Sequence, residues 1–185
     1  MRVVAGTAGG IRLSVPAADV RPTMDRVKAA IFSSLQDGIA GARVLDLFAG
    51  TGALGIEALS RGAESVLFVE DNRAALRAIE ENFVRTKLRG RVSPRDVFAF
   101  LEAEGKRETF DFIFADPPYE KTKAGERFTE KVLAHERLPQ LLAEGGIFVL
   151  EKHPGEELPG MKFWNVLRAK KYGATEVLFL SALPR

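Results

Sequence analysis

The tetrapeptide Asp116-Pro117-Pro118-Tyr119 brings a carboxylate, a stiff turn and an aromatic ring together within four residues. Two consecutive prolines fix φ and remove two amide hydrogens, so the carbonyl oxygens of the turn remain available as hydrogen-bond acceptors. The Asp116 carboxylate and the Pro117 carbonyl are suited to accept the two hydrogens of an exocyclic amine on a nucleobase. The ring of Tyr119 offers a face on which a flipped base can stack, for about 1 to 3 kcal/mol.

This arrangement would activate an amine that is otherwise a poor nucleophile, because its lone pair is delocalised into the ring. Two hydrogen bonds would draw the nitrogen toward a tetrahedral shape, and holding the reacting atoms in line can supply about 7 to 11 kcal/mol. The apolar run 112–115 before the tetrapeptide predicts a strand, whose carboxyl end is where open α/β sheets bind ligands. We therefore predict Asp116, Pro117, Pro118 and Tyr119 as catalytic residues, although they do not distinguish guanine N2 from adenine N6.

A glycine loop, Gly50-Thr51-Gly52-Ala53-Leu54-Gly55, follows an apolar segment and opens a predicted helix. Its glycines allow close backbone approach to a cofactor, and Glu70, at the end of the next predicted strand, is placed to bind a ribose hydroxyl. Asp46 would repel a pyrophosphate but attract the ammonium group of a methionine moiety, whose carboxylate could face the helix N-terminus. These charges favour S-adenosylmethionine, with NAD or FAD binding and a purely structural turn as alternatives.

Further acidic residues support a cofactor crevice. Asp71 follows Glu70 directly, and Asp96 follows the third predicted strand, where its side chain could reach an adenine amino group while the Val97 amide faces a ring nitrogen. Asp96 is equally suited to be the N-cap of the helix that it precedes. The predicted cofactor is S-adenosyl-L-methionine, and its predicted binding residues are Asp46, Phe48, Ala49, Gly50, Thr51, Gly52, Glu70, Asp71, Asp96 and Val97.

Composition excludes several other kinds of site. The 185 residues include no cysteine, which removes disulfides, thiolate zinc sites and methylation through a cysteine adduct, and no metal site is predicted. The net charge of +2 is not that of a polycation, but residues 1–28 hold five basic and two acidic side chains that could meet phosphates or simply be solvated. No apolar run reaches the roughly 20 residues that span a bilayer, and no signal peptide is visible, so we expect a cytoplasmic protein.

The order of the predicted elements indicates an α/β fold. Glycine-rich residues 1–20 predict a small hairpin or arm, and most of the remaining chain alternates strands with helices, which gives a mostly parallel, Rossmann-like sheet covered by helices on both faces. We expect a single domain, 1–185, with residues 21–185 as its catalytic core and an antiparallel addition at the C-terminus. The predicted strands are 43–48, 65–69, 91–95, 110–115, 147–150 and two within 162–183. The predicted helices are one that starts at Thr23 and is stopped by Gly38, and those at 52–61, 72–88, 97–104 and 128–137.

These motifs together resemble the amino-methyltransferases whose cofactor loop precedes such a tetrapeptide, most closely the bacterial 16S ribosomal RNA guanine-N2 methyltransferases. The matching stretches run nearly end to end: Val4-Ala5-Gly6 with Gly10, Arg21-Pro22-Thr23-Met24-Asp25-Arg26-Val27, Leu45-Asp46-Leu47-Phe48-Ala49-Gly50-Thr51-Gly52, Glu57-Ala58-Leu59-Ser60-Arg61-Gly62-Ala63, Asp116-Pro117-Pro118-Tyr119 and Tyr172-Gly173. The resemblance implies a seven-stranded sheet, a small N-terminal hairpin and no separate target-recognition domain.

The resemblance also implies a function. It is direct methyl transfer from S-adenosylmethionine to the N2 amine of a flipped guanine in 16S ribosomal RNA, by a monomer, on an assembling small ribosomal subunit. Within the family pattern, Asp46, Gly50, Gly52 and Glu70 bind the cofactor and the tetrapeptide holds guanine. The predicted RNA contacts lie on the N-terminal arm: Arg2, Arg12, Arg21 and Arg26.

Three other functions remain open on the residues alone. DNA adenine-N6 methyltransferases carry the same tetrapeptide, although they usually need extra sequence to recognise their site. An NAD-linked oxidoreductase needs a proton-transfer residue near the crevice, and we expect both histidines, His135 and His153, on the surface. A silent RNA-binding scaffold would have no need of the intact Asp116.

Overall fold

Within the described residues, seven strands form one sheet. The structure is a computed structural model, and it describes residues 1–15, 23–103, 108–118, 127–156, 158 and 161–184. The strands are β1 Arg43–Leu47, β2 Ser65–Val69, β3 Arg91–Ser93, β4 Phe110–Ala115, β5 Leu142–Lys152, β6 Trp164–Tyr172 and β7 Thr175–Ala182. Their order is β3-β2-β1-β4-β5-β7-β6, and all neighbours are parallel except β7, which is antiparallel to β5 and β6. The predicted Rossmann-like sheet with an antiparallel C-terminal strand is confirmed.

Helices cover both faces of this sheet, as predicted. They are α1 Thr23–Leu35, α2 Ala53–Ser60, α3 Arg73–Thr86, α4 Val97–Ala103, α5 Phe128–Ala134 and α6 Leu138–Leu141, with a 3-10 helix at Gln36–Ile39. Side chains of α1, α2 and α3 share one apolar cluster with one face of the sheet, and those of α4, α5 and α6 share a second cluster with the other face. No helix in the described part of the chain is long and apolar enough to cross a membrane.

The alternation of side chains along β4 shows how the two faces arise. Phe112 and Phe114 enter the cluster of α1 to α3, whereas Ile113 and Ala115 enter the cluster of α4 to α6. Such a strand is buried on both faces and therefore reads as a continuous apolar run in the sequence. Strand β4 lies between β1 and β5 at the point where the strand order reverses, which is the ligand-binding position of open α/β sheets.

The N-terminal segment forms a short hairpin that is packed onto the body of the protein. Arg2 and Arg12 pair as an antiparallel bridge, and Val3, Ala8 and Leu13 are buried. The fully buried Glu57 carboxylate on α2 accepts the Val4 and Ala5 amides at 2.6 and 3.0 Å. The predicted hairpin is therefore confirmed within residues 1–15, and its buried side chains make it part of the core rather than a free arm.

Two predicted elements differ from the structure by more than their end residues. The helix predicted over 128–137 divides, because His135 has an extended backbone with φ −73° and ψ 117° and Pro139 begins a second short helix. The strand predicted over 147–150 begins earlier, at Leu142. Its pairing with β4 shifts register between Phe110 and Phe112, so the two glycines of 145–146 lie in an irregular part of β5 rather than in a turn before it.

Candidate active site

The predicted site residues come together at one edge of the sheet, where β2, β1 and β4 end. Glu70, Asp46 and Asp116 lie at or next to the carboxyl ends of these three neighbouring strands. Asp46 and Asp116 also share a face, because Val44 and Phe114, two positions earlier on each strand, belong to the same apolar cluster. The sheet therefore brings the carboxylates of the glycine-loop motif and of the tetrapeptide to a common crevice.

The glycine loop is a tight connection between β1 and α2. Gly50 and Gly52 have positive φ angles of 55° and 76°, a backbone conformation that glycine adopts without steric cost. The Gly52 amide donates to the Ala49 carbonyl at 2.7 Å, and Gly52 is the N-cap residue of α2. The loop thus has the form that the motif predicts.

Gly55 allows α2 to lie directly on the sheet. A Cβ at this position would stand 2.3 Å from the Phe68 ring and 2.9 Å from the Asp46 carboxylate. The absence of a side chain lets the Gly55 amide donate to Asp46 Oδ2 at 2.9 Å. Asp46 is 2% exposed. The hydrogen bond from Gly55 to its carboxylate joins β1 to the first turn of α2, in addition to any contact with a ligand.

Glu70 closes the other side of the loop. Its Oε2 accepts the Gly50 amide at 2.8 Å, and its Oε1 accepts the Asp71 and Asn72 amides at 3.0 and 2.8 Å. These bonds fix the carboxylate between the glycine loop and the start of α3, where Asn72 is the N-cap. Since each carboxylate oxygen has two lone pairs, Glu70 retains capacity to accept hydroxyl hydrogens.

Three of the six amides of the glycine loop are used within the protein. Gly50 donates to Glu70, Gly52 to Ala49 and Gly55 to Asp46. A dinucleotide-binding loop presents its amides to a pyrophosphate. In this protein two of the loop amides are held by carboxylates of the chain itself.

Asp96 is the N-cap residue of α4, which was one of its two predicted roles. Its Oδ1 accepts the Ala99 amide at 2.9 Å, and the side chain is exposed. The Val97 side chain is buried in the core, while its amide belongs to the first turn of α4, where amides have no partner within the helix. The role of this pair toward adenine stays a prediction.

Phe48 adopts an unusual conformation directly after β1. Its φ is 54°, in the left-handed region, which costs a residue other than glycine about 1 to 3 kcal/mol. The ring packs edge-on against Phe98 and Phe128, with centroids 6.1 and 5.9 Å away. The strand therefore ends at Leu47, one residue earlier than predicted, and the Phe48 ring helps to build an aromatic wall that the sequence analysis did not anticipate.

The tetrapeptide leaves β4 at the switch point of the sheet. Pro117 is buried, Pro118 is exposed and Asp116 is half-buried. Tyr119 lies outside the described residues, so the proposed stacking of a base on its ring stays a prediction.

A carboxylate that the sequence analysis missed stands beside the tetrapeptide. Glu151 on β5 is the next position after Leu150, which pairs with Ala115 of β4, so Glu151 lies level with Asp116 on the neighbouring strand. Strand β5 was predicted to end at Leu150, which hid this neighbour. The sequence carried part of the signal for Glu151, because the residue after an apolar run in a parallel sheet lies at the same edge as the tetrapeptide. The pairing of β5 with β4, which brings it next to Asp116, is a long-range contact.

Burial makes two of these carboxyl groups weaker acids than usual. Burial, opposed by the Gly55 hydrogen bond and assisted by the charges of Asp116 and Glu70, raises the pKa of Asp46 to about 8. Burial and the charges of Asp116 and Asp46 raise the pKa of Glu151 well above its usual range. Each group would be more easily ionised beside a cation or a hydrogen-bond donor.

Three of the four arginines predicted to contact RNA are exposed. Arg2 and Arg12 are bridge partners on the hairpin, and Arg26 lies on α1. Arg21 lies outside the described residues. Arg2 is also within 3.9 Å of Asp25, which reduces the net positive charge at that point.

The hairpin is connected to the glycine loop by one buried side chain. Asn82 on α3 is fully buried, accepts the Ser14 amide at 2.6 Å and donates to the Ser14 carbonyl at 3.1 Å. The same amide group donates to the Thr51 carbonyl at 3.0 Å. The sequence analysis did not find Asn82, because a single polar residue in a helix carries no sign of its distant partners.

The histidines and possible metal ligands give no alternative centre. His135 is less exposed than expected, at 12% of its side chain, and lies beside Phe98 and Glu102 rather than in the crevice. His153 is exposed, as expected. In the part of the chain that the structure describes, no group of three or more His, Cys, Asp or Glu side chains could hold a metal ion.

Comparisons with known proteins agree with this geometry. The family model described as Conserved hypothetical protein 95 matches residues 1–181. YlbH of Bacillus subtilis (strain 168), a candidate rRNA methyltransferase, is 40% identical over 182 residues, which cover 96% of each chain. Ribosomal RNA small subunit methyltransferase D of Haemophilus influenzae is 30% identical over 177 residues, covering 94% of this chain and 89% of that protein. The solved 16S rRNA N2 methyltransferase RsmC of T. thermophilus, in complex with AdoMet and guanosine, has a TM-score of 0.64 and 27% identity, covering 91% of this chain and 44% of that one.

Proposed function

The chain belongs to the family described as Conserved hypothetical protein 95, and from that membership we propose that it methylates the N2 amine of a guanine in 16S ribosomal RNA with S-adenosylmethionine. One observation carries the proposal most directly: Glu70, Asp46 and Asp116 line neighbouring strand ends beside the glycine loop, where Glu70 and Asp46 hold the Gly50 and Gly55 amides. Such a crevice attracts a cationic sulfonium and ammonium and repels a pyrophosphate.

The residues present fit this cofactor. Asp46 would face the ammonium group. The nearby negative charges of Asp116 and Glu70, which raise the pKa of Asp46, would also attract a cation to this position. Glu70 would accept a ribose hydroxyl with the one lone pair that remains on Oε2, and Asp96 or the Val97 amide would face the adenine. When bound, S-adenosylmethionine supplies an electrophilic methyl group and its own leaving group.

Asp116 and Pro117 hold the amine that receives the methyl group. The Asp116 carboxylate accepts one amine hydrogen and the Pro117 carbonyl accepts the other, which fixes the nitrogen lone pair in one direction. Because Pro117 is buried and Pro118 follows it, the turn is stiff and its carbonyl cannot rotate away. With the cofactor bound, the methyl group that it supplies would pass to this nitrogen as the thioether leaves, and the Asp116 carboxylate would accept the proton that the nitrogen loses.

The same geometry disfavours the two other classes considered. An oxidoreductase using NAD would bring a pyrophosphate beside the carboxylates of Glu70 and Asp46, which already hold the Gly50 and Gly55 amides and would repel it. A silent scaffold would have no use for a carboxylate at Asp116, at the switch point of the sheet, whereas methyl transfer to an amine needs one there.

Removal of the Asp116 carboxylate tests the proposal. Asp116→Ala should nearly abolish tritium transfer from labelled cofactor to hypomethylated small ribosomal subunits, while the cofactor Kd stays within a few-fold, because Asp116 acts on the amine. Asp111→Asn is a matched control, since Asp111 is on the same strand at the opposite edge and Asn can still accept the Arg43 amide. Normal activity of Asp116→Ala contradicts the mechanism, and a product other than N2-methylguanosine by mass spectrometry contradicts the base assignment.

The substrate form follows from the same proposal. We infer that a monomer acts in the cytoplasm on an assembling small subunit rather than on naked RNA, in keeping with the small hairpin as its main addition to the catalytic core. Transfer to protein-free 16S RNA and to hypomethylated subunits, compared at equal RNA concentration, tests this; faster methylation of the naked RNA contradicts it.

A further inference from the structure

Glu151 lies beside Asp116 on the same face of the sheet. Ala115 and Leu150 are paired neighbours on β4 and β5, so the residues that follow them are also adjacent, at about the 4.8 Å spacing of neighbouring strands. Phe114 and Val149, two positions before Asp116 and Glu151, both enter the cluster of α1 to α3. The two carboxylates therefore project on the side of the sheet that also holds Asp46.

The Glu151 carboxylate has no internal partner in the part of the chain that the structure describes. No hydrogen bond or ion pair involves it there, whereas its neighbour on the strand, Lys152, contacts Glu176 at 3.0 Å and the carbonyls of His153 and Glu156. A half-buried carboxylate next to two other carboxylates is costly to ionise. A hydrogen-bond donor that entered the crevice would offset that cost, so Glu151 is ready to receive one.

Guanine offers the right donors at the right spacing. Its N1–H lies next to its N2 amine on the Watson–Crick edge, so both point the same way and need two neighbouring acceptors. Adenine has an unprotonated N1 next to its N6 amine, and that lone pair would repel the ionised Glu151 carboxylate, the form that the guanine N1–H stabilises. Asp116 alone cannot make this distinction, because both bases present an amine to it.

We propose that Glu151 is the residue that selects guanine over adenine, by accepting the guanine N1–H while Asp116 accepts a hydrogen of the N2 amine. The inference rests on the proposed function of the tetrapeptide, and it supplies the base selectivity that the tetrapeptide lacks. Selection works by attraction of the correct base and by repulsion of the wrong one, as specific sites commonly do.

The test compares guanosine with 2-aminopurine riboside, which keeps the amine at C2 but carries an unprotonated N1. Binding of both nucleosides is measured by calorimetry on the full chain saturated with S-adenosylhomocysteine, for the wild type, Glu151→Gln and Glu144→Gln. Glutamine keeps the shape of Glu151 and can donate its amide to an unprotonated N1. Glu144, exposed near the start of the same strand, provides the matched control.

Wild type and Glu144→Gln should bind guanosine on the order of tenfold more tightly than 2-aminopurine riboside, since a hydrogen bond to a charged group is at stake. Glu151→Gln should reduce this preference to about twofold or invert it, with the Kd of S-adenosylhomocysteine within twofold of the wild-type value. A wild type that binds both nucleosides equally, or a Glu151→Gln variant that keeps the wild-type preference, overturns the assignment. A parallel loss of S-adenosylhomocysteine affinity also overturns it, because Glu151 would then serve the cofactor.

Failure of the proposed function gives a different result. Nucleoside binding does not require methyl transfer, so a wild type that prefers guanosine but transfers no methyl group to ribosomal subunits refutes the enzymatic proposal and leaves the selectivity supported. Conversely, N2-methylguanosine formation by a Glu151→Gln variant with wild-type kcat/KM refutes only the selectivity.

Discussion

The proposed contact between Asp46 and the ammonium group of the cofactor should make cofactor binding depend on pH. Asp46 is fully buried and its pKa is raised to about 8, first by burial and then by the charges of Asp116 and Glu70, against the hydrogen bond from Gly55. An ammonium group needs the ionised carboxylate, so the cofactor can bind Asp46 only after that proton leaves. Cofactor binding should therefore be measured between pH 6 and pH 9, for the wild type and for Asp46→Asn.

The expected size of the pH effect on cofactor binding follows from the pKa of Asp46. At pH 7 a carboxyl group with a pKa of about 8 is roughly nine-tenths protonated, so each binding event releases close to one proton. Below pH 8 the cofactor Kd should rise about tenfold for each pH unit. Above pH 8 the amine of the cofactor, with an ordinary pKa of about 7.7 to 8.0, loses its own proton. The tightest binding therefore lies near pH 8.

The raised pKa of Asp46 also makes the stability of the fold depend on pH. The pKa of Asp46 in the folded protein lies above the ordinary value of 3.8, so the folded state holds the proton more tightly. Stability without cofactor is consequently lost as pH rises from about 4 to about 8, by at most roughly 6 kcal/mol. Asn at this position keeps an acceptor for the Gly55 amide and removes the charge, so Asp46→Asn should gain in Tm relative to the wild type as pH increases.

Isothermal titration calorimetry with S-adenosylhomocysteine, which keeps the ammonium group, measures the Kd and the number of protons released on binding. The wild-type Kd should follow the slope above, and the apparent enthalpy should differ between phosphate and Tris buffers by the heat of about one buffered proton. Asp46→Asn should bind on the order of tenfold or more weakly at pH 8 and lose the slope below it. A wild-type Kd that stays constant from pH 6 to pH 8, or a variant that keeps the wild-type slope, refutes this account of Asp46.

Three other predictions concern the hairpin and its surface. Gly6→Ala should lower stability by at least about 2 kcal/mol in urea unfolding, because φ is +84° and a Cβ would stand 1.8 Å from the Ser60 carbonyl oxygen; a wild-type midpoint contradicts the packing described. Asn82→Ala should cost about 2 to 4 kcal/mol and weaken cofactor binding, because it leaves three backbone groups unpaired; unchanged values in both assays contradict its bridging role. Combined Arg12→Gln and Arg26→Gln should reduce the salt dependence of RNA binding by about two charges and leave cofactor Kd unchanged, and an unaltered salt slope contradicts the RNA surface.

Local patterns predicted the part of the fold that positions the cofactor. The apolar run of β1, the glycines and the helical spacing of α2 are adjacent in sequence, and each follows from short-range steric rules. The structure places Glu70 against the Gly50 amide, as the motif spacing suggested, and confirms the alternative N-cap role of Asp96. In these segments sequence and structure agree because the determining contacts lie within about 20 residues of each other.

Long-range contacts were beyond prediction from the sequence. Glu57 reads as an ordinary polar position on a helix, yet it is fully buried and accepts two amides of a hairpin more than 50 residues away. Glu151 belongs to the site only through the pairing of β5 with β4, and the irregular stretch of β5 hid where that strand begins and ends. Register and partner choice are set by the assembled sheet, and no local pattern carries them.

The bridge made by Asn82 also has a thermodynamic meaning. One carboxamide holds Ser14 at the base of the arginine-bearing hairpin and Thr51 in the cofactor loop, so ordering either segment restricts the other. Linkage between two binding sites is reciprocal: any factor by which RNA on the hairpin tightens cofactor binding is the factor by which cofactor tightens RNA binding. If the hairpin and the loop bind as proposed, product release should be coupled as well, since departure of the spent cofactor would loosen the hold on the methylated RNA by the same factor.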